Sequence, residues 1–219
     1  MTRLDRRSLA FAIALPMLAG YVDSLGFLDL GGYFVSFMSG NSTRLGIGLG
    51  SGDWESAVTV LVIVFLFVFG VVVGSLIASP RSEKRRVLIL SLVAGLLAVS
   101  GVLYATHHVR LGTAAMVIAM GAENTVLRRD GIGVGLTYMT GNLVKMGHAI
   151  ADSIQGGSKK EWLRFLVLWV GLITGATLGA VAHRAFDMNA LWFGSAFAAA
   201  LESGAGLDGR TAGSPGLPA

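Results

Sequence analysis

VTVLVIVFLFVFGVVV, Val58–Val73, is the stretch whose reading decides the fold. It holds no charge and is crowded with β-branched residues, which in water would favour a strand. It lies inside a longer apolar run, Ala57–Ala78, close to the roughly 20 residues that cross a hydrocarbon core as a helix. In lipid a helix closes its own backbone hydrogen bonds, so the run predicts a transmembrane helix. Four further runs of similar length lie around it: Leu9–Phe27, Val87–Ala105, Leu111–Leu127 and Trp162–Ala182. A sixth, Asn189–Leu201, is short and alanine-rich; it reads either as a short or tilted span or as an interfacial helix. Residues 203–219 are rich in Gly, Pro and Ser and are expected to be a disordered tail.

Composition agrees. Of 219 residues, 53% are hydrophobic and only 14% charged, and the mean hydropathy is +0.69. Soluble domains carry roughly 25% charged residues, so this chain has too little polar surface to cover a soluble fold. There is no cysteine, which excludes disulfides, thiolate metal sites, iron–sulfur clusters and thiol nucleophiles. The net charge of +4 sits in short loops between apolar runs, the pattern of a membrane protein rather than a nucleic-acid binder. Arg3, Arg6 and Arg7 ahead of an apolar run look like a signal peptide. The run continues past Leu18-Ala19-Gly20, however, and reads as a retained first helix.

Two apolar segments are interrupted, Gly31–Gly50 and Gly133–Ala151, and each carries an unusual polar core: MSGN at Met38–Asn41 and MTGN at Met139–Asn142. One ungapped offset superposes Met17–Ala78 on the second half. Gly20 then falls on Gly121, Asp29 on Asp130, Gly32 on Gly133, and Gly70 and Gly74 on Gly171 and Gly175. Asp23 meets Asn124, Phe37 meets Tyr138, and Arg44 meets Lys145. The match predicts an internal repeat, about 9–79 and 111–182, with a linking helix at 87–105 and one transmembrane domain over 1–202. Gly70-x-x-x-Gly74 and Gly171-x-x-x-Gly175 have the spacing of close helix packing.

Charge sets the orientation. If the interrupted segments dip in and return, Arg3, Arg6, Arg7, Arg81, Lys84, Arg85, Arg86, Arg128, Arg129, Lys159, Lys160 and Arg164 share one side, with only Arg110 and Arg184 on the other. If both segments cross, the same residues divide evenly. The positive-inside rule prefers the first arrangement, with a cytoplasmic N-terminus and repeats inverted about an axis in the membrane plane.

The candidate site follows from the polar exceptions. Gly40 and Gly141 permit close backbone approach, Asn41 and Asn142 can donate and accept, and Arg44 and Lys145 lie one turn further on, so these six are the expected solute-binding residues. Ionisable residues within spans point to function by default. Asp23, Glu123 and His148 are therefore expected to respond to protons or couple charge, while a purely structural polar network is the competing reading. His107 and His108 read as solvated, and no metal or cofactor is expected. Nucleophile-elbow, phosphate-loop and paired-histidine motifs are absent. The glycine-rich Gly131–Gly135 follows no strand, and a membrane-embedded acid–base pair of Glu123 with His148 is the remaining enzymatic option.

GYVDSLGFLDLGGYFVSFMSGNSTRLG and AMGAENTVLRRDGIGVGLTYMTGNLVKMG together resemble the YoaK family of bacterial membrane proteins over about Leu9–Ala182. The resemblance implies a multi-pass protein of the bacterial inner membrane and supplies no catalytic residues. The expectation is therefore an all-α polytopic bundle, lipid-embedded, with a homodimer as one arrangement and with two interrupted or re-entrant segments. Its leading function is a small secondary transporter or channel for a small polar or anionic solute, coupled to protons. The rival is a non-transporting interaction or scaffold protein whose polar motifs serve helix packing.

Overall fold

The computed structural model describes residues 6–77, 84–126, 128–129, 132–133 and 138–211. They form an all-α bundle: α1 (Arg6–Asp29), α2 (Met38–Ser51), α3 (Trp54–Ile77), α4 (Arg85–Ala105), α5 (Val109–Glu123), α6 (Met139–Ile154), α7 (Glu161–Phe186), a single 3-10 turn (Asp187–Ala190) and α8 (Leu191–Thr211). A two-residue antiparallel hairpin pairs Arg128–Arg129 with Ile132–Gly133. Among the described residues, four helical stretches are long and apolar enough to cross a membrane: Ala10–Asp29, Trp54–Ile77, Arg85–Ala105 and Glu161–Ala205, the last containing α7, the 3-10 turn and most of α8.

Three expectations change. The run Leu111–Leu127 does not form a full-length span: α5 has 15 residues, about 22 Å at 1.5 Å per residue, and it stops at Glu123. The short sixth run becomes part of a 21-residue helix. That helix reaches Thr211, so the first nine residues of the expected disordered tail are helical, and 212–219 lie outside the described residues. The interrupted segments hold helices of 14 and 16 residues, each too short to span.

Helix directions follow from contacts at both ends. Arg86 lies over the Phe11 ring and Tyr104 donates to Asp29, so α1 and α4 run parallel. Ser100 donates to the Gly112 carbonyl and Arg85 to the Thr125 carbonyl, so α4 and α5 are antiparallel. Gly70 meets Ile118 and Gly74 meets Ala122, so α3 runs parallel to α5. Gly175 meets Met17 and Gly179 meets Tyr21, so α7 runs parallel to α1. Thus α1, α4 and α7 point one way, and α3 and α5 the other. The chain between α1 and α3 leaves and returns at one end of the bundle, and the chain between α5 and α7 does so at the opposite end.

The α1–α7 and α3–α5 contacts depend on missing side chains. A Cβ on Gly70 would overlap the Ile118 carbonyl, and one on Gly175 the Met17 carbonyl. Gly74 rests on Ala122 and Thr125, and Gly179 on Tyr21 and Ser24. The glycine pairs that make matching contacts are thus Gly70/Gly74 and Gly175/Gly179, not Gly70/Gly74 and Gly171/Gly175 as the ungapped offset implies. The reason is loop length: two residues join α2 to α3, and six join α6 to α7. The four extra residues move α7 by about one turn. Leu18, Val22 and Leu25 of α1, Leu90, Val93 and Leu97 of α4, Met116 and Met120 of α5 and Leu191 of α8 fill the interior. Val58, Leu61, Phe65, Val68 and Leu76 of α3 point outward, as lipid-facing residues do.

Candidate functional site

The site begins where α1 ends. Gly31 and Gly32 take positive φ of 67° and 97°, a turn that L side chains rarely make. The chain then climbs back beside α1. Val35 N and Ser36 N both donate to Asp23 Oδ1 at 2.8 Å. Asp23 lies six residues before the helix end, so the loop has risen about 9 Å along the axis. At the foot, Tyr33 donates to Ser56 Oγ at 2.9 Å. There Asp53 accepts from Ser56 N, and the Ser56 hydroxyl, followed by the amide, holds this exposed carboxyl below the usual carboxylate range.

Asn41 closes the climb. Its Nδ2 donates to Phe34 O at 2.7 Å, and its Oδ1 accepts from Phe34 N at 3.0 Å. It is wholly buried. A carboxamide carries a separate donor and acceptor for the backbone C=O and N–H, whereas an ionised aspartate, which only accepts, would leave the Phe34 carbonyl open. The motif also has local logic. Asn41 Nδ2 lies 3.8 Å from Met38 Sδ, and Asn142 Nδ2 lies 3.7 Å from Met139 Sδ. The preceding aromatic folds over the glycine, Phe37 over Gly40 and Tyr138 over Gly141, so a Cβ at either glycine would strike the ring.

The two motif segments meet. A cavity of about 220 Å³ is bounded by Ser36, Phe37, Met38 and Ser39 on one side and by Tyr138, Met139 and Thr140 on the other, with Asn124 beside them. A larger cavity of about 500 Å³ shares Ser36, Phe37 and Met139 with it and is lined further by Asp23, Ser24, Phe27 and Phe34. Glu123, the last residue of α5, is completely buried nearby, within electrostatic reach of Asp23. Neither of its carboxylate oxygens has a hydrogen-bond partner among the described residues.

The other expected site residues stand elsewhere. The Arg44 guanidinium sits 5.2 Å from the centroid of the Tyr33 ring and covers Gly32. Lys145 and His148 are exposed on α6. None of the three lines either cavity. Glu123 and His148 do not form an acid–base pair, since one is sealed inside and the other is on the surface. Sequence reasoning missed Ser36, Phe27, Phe34 and Met139. The aromatic residue before each motif, Phe37 and Tyr138, was the available signal. At the end of the bundle where α1 and α7 finish, Asp29, His183 and Asp187 bring ligand atoms within 4.8 Å of one another, a grouping that no sequence spacing suggested.

Residues 11–202 match the model of a family described as "Protein of unknown function (DUF1275)". The chain belongs to the DUF1275 family. A curated relative, the UPF0700 transmembrane protein RA0705 of Rhizobium meliloti (strain 1021), is 37% identical over 198 residues, covering 90% of this chain and 85% of that protein. No solved structure matches. With its apolar helices, this DUF1275 member is an integral, multi-pass membrane protein.

Proposed function

We propose that the protein is a small secondary transporter of the bacterial inner membrane, with a cytoplasmic N-terminus and proton coupling through Asp23 and Glu123. It is built from two inverted units, α1–α3 and α5–α7, linked by α4. The carrying observation is that two short helices meet at one cavity, that this cavity shares Ser36, Phe37 and Met139 with a larger one lined by Asp23, and that a second buried acid, Glu123, has no hydrogen-bond partner among the described residues. Irregular backbone at membrane depth persists where protein buries it or where it lines a cavity, and inverted units meeting at mid-membrane are the usual transporter architecture. The opposed directions of α1 and α5, and the matching glycine contacts of α3 and α7, support the inversion. The orientation rests on the basic residues: Lys84, Arg86, Lys159, Lys160 and Arg164 are at the end where α1 begins, and Arg110 and Arg184 are at the other. We place the chain with the YoaK-like proteins that its doubled motif resembles.

A buried carboxylate without a partner is costly, and a proton or a cation relieves that cost. Glu123 therefore has the setting of a coupling group. Arg44 and Lys145 stand outside the cavities, so an anionic solute finds no positive charge among the described lining residues, which favour a neutral or cationic one. One observation favours the rival scaffold reading: Asn41 is fully occupied by Phe34 and serves packing. In that role it holds the loop that presents Ser36 and Phe37, which both readings require. The test is uptake by proteoliposomes across solute classes, with and without a pH gradient. Transport predicts solute flux that accelerates with the gradient, an acceleration that Glu123→Gln removes. Absence of flux for every class, in protein shown to be folded, contradicts it.

A further inference from the structure

We infer that the larger cavity takes an amphipathic organic cation, a quaternary or protonated amine on an apolar body, with Asp23 facing the charge and Phe27, Phe34 and Phe37 facing the body. The inference names the solute of the site proposed above and rests on that reading for its passage across the membrane.

The lining decides the class. Among the described residues the lining is apolar apart from Asp23, Ser24 and Ser36, and no lysine, arginine or histidine contributes to it. Volume excludes little: about 500 Å³ is within the range of ordinary small-molecule sites. Chemistry excludes more. An anion would face Asp23 with no compensating cation among the described residues of the wall. A sugar or amino acid carries many polar groups, and too few partners are present to replace their hydrogen bonds with water. A bare divalent ion needs about six oxygen ligands, and the described side chains of this wall offer one carboxylate and two hydroxyls.

An organic cation matches both halves of the lining. The Phe27 and Phe34 ring centroids are 4.8 Å apart at 40°, and those of Phe34 and Phe37 are 5.2 Å apart and nearly perpendicular at 80°. Three differently tilted rings around one carboxylate offer π faces to a cationic head and apolar surface to its body. Asp23 is suited to its part because two backbone amides fix Oδ1 in place, so the charge is oriented before any ligand arrives.

The test uses purified full-length protein in detergent with three probes: benzyltrimethylammonium, its uncharged isostere neopentylbenzene, and phenylacetate. Titration calorimetry and competition against radiolabelled benzyltrimethylammonium should show the cation bound at least tenfold more tightly than the isostere, with no competition from phenylacetate. Asp23→Asn should weaken the cation by roughly thirtyfold or more. Asp23 also holds the loop, so Phe37→Leu gives a second reading: cation binding should fall roughly three- to thirtyfold, with neopentylbenzene unchanged. Equal affinity for cation and isostere, or preference for phenylacetate, overturns the inference. The proteoliposome arm separates the two proposals. Tight Asp23-dependent binding without uptake retains the cation site and removes transport. Proton-driven uptake of another solute by protein that ignores benzyltrimethylammonium retains transport and removes the cation site.

Discussion

The two motif segments share a local design and differ in the chemistry beneath it. In the first, the acid at the turn of the site is Asp23, which receives two amides from the returning loop. In the second, the matching position is Asn124, which donates to Met120 O of its own helix at 2.9 Å. The acid has moved one residue earlier, to Glu123, and there neither oxygen finds a hydrogen-bond partner among the described residues. One half therefore uses its carboxylate to position backbone, and the other keeps a carboxylate in reserve. The lesson is that a shared scaffold does not imply shared labour: the first acid is a structural anchor that also lines the cavity, and the second is buried without a hydrogen-bond partner among the described residues, the setting on which its proposed coupling role rests.

Substitutions can break this comparison, and the largest effect is expected at Asp23. Asp23→Ala leaves the Val35 and Ser36 amides without their acceptor and should lower stability by about 2–6 kcal/mol, read as a fall in the thermal unfolding midpoint in detergent. Asn124→Ala should cost about 1 kcal/mol. Equal losses at the two positions would erase the distinction. Next, Asn41→Ala leaves Phe34 N–H and C=O open and should cost about 2–4 kcal/mol, with Asn41→Asp recovering only part, because it cannot donate.

The helix contacts sharpen the comparison further. Gly175→Ala forces a methyl against the Met17 carbonyl and should destabilise by about 1–3 kcal/mol. Gly46→Ala, where a Cβ meets nothing within 4 Å, should instead stabilise by about 0.5–1 kcal/mol. Matching losses in Gly70→Ala and Gly175→Ala, measured by the same melt, would extend the likeness of α3 and α7 from geometry to energy. The smallest stability effect is expected at Glu123. Glu123→Gln should stay within about 1 kcal/mol of the parent, because no hydrogen bond is lost, while removing the response of flux to a pH gradient.

Much of the fold was legible because a membrane imposes length. The uncharged run around Val58–Val73 could only be a helix, and α1, α3, α4 and α7 fall within three or four residues of their expected ends. The glycine register was not legible. Gly171, Gly175 and Gly179 recur every four residues, so Gly70-x-x-x-Gly74 fits them in two ways, and only the contacts with Met17 and Ile118 choose. The end of α5 was hidden for a similar reason: Thr125, Val126 and Leu127 continue the apolar pattern beyond the point where the helix stops. At the site, the motif and Asp23 stood out as polar exceptions in apolar sequence. What Asn41 binds did not, since its partner is backbone, and backbone carries no signature of residue type. Arg44 and Lys145 misled because helical spacing shows which residues share a face, not what that face meets.

The account depends on the two short helices entering from opposite sides. The chain has no cysteine, so a single thiol can be placed at Ser51, the end of α2, or at Gln155, just past α6, and probed with a membrane-impermeant maleimide on spheroplasts and on inverted vesicles. The account predicts that Ser51→Cys is labelled only from the outer face and Gln155→Cys only from the cytoplasmic face. Labelling of both from the same face would contradict it.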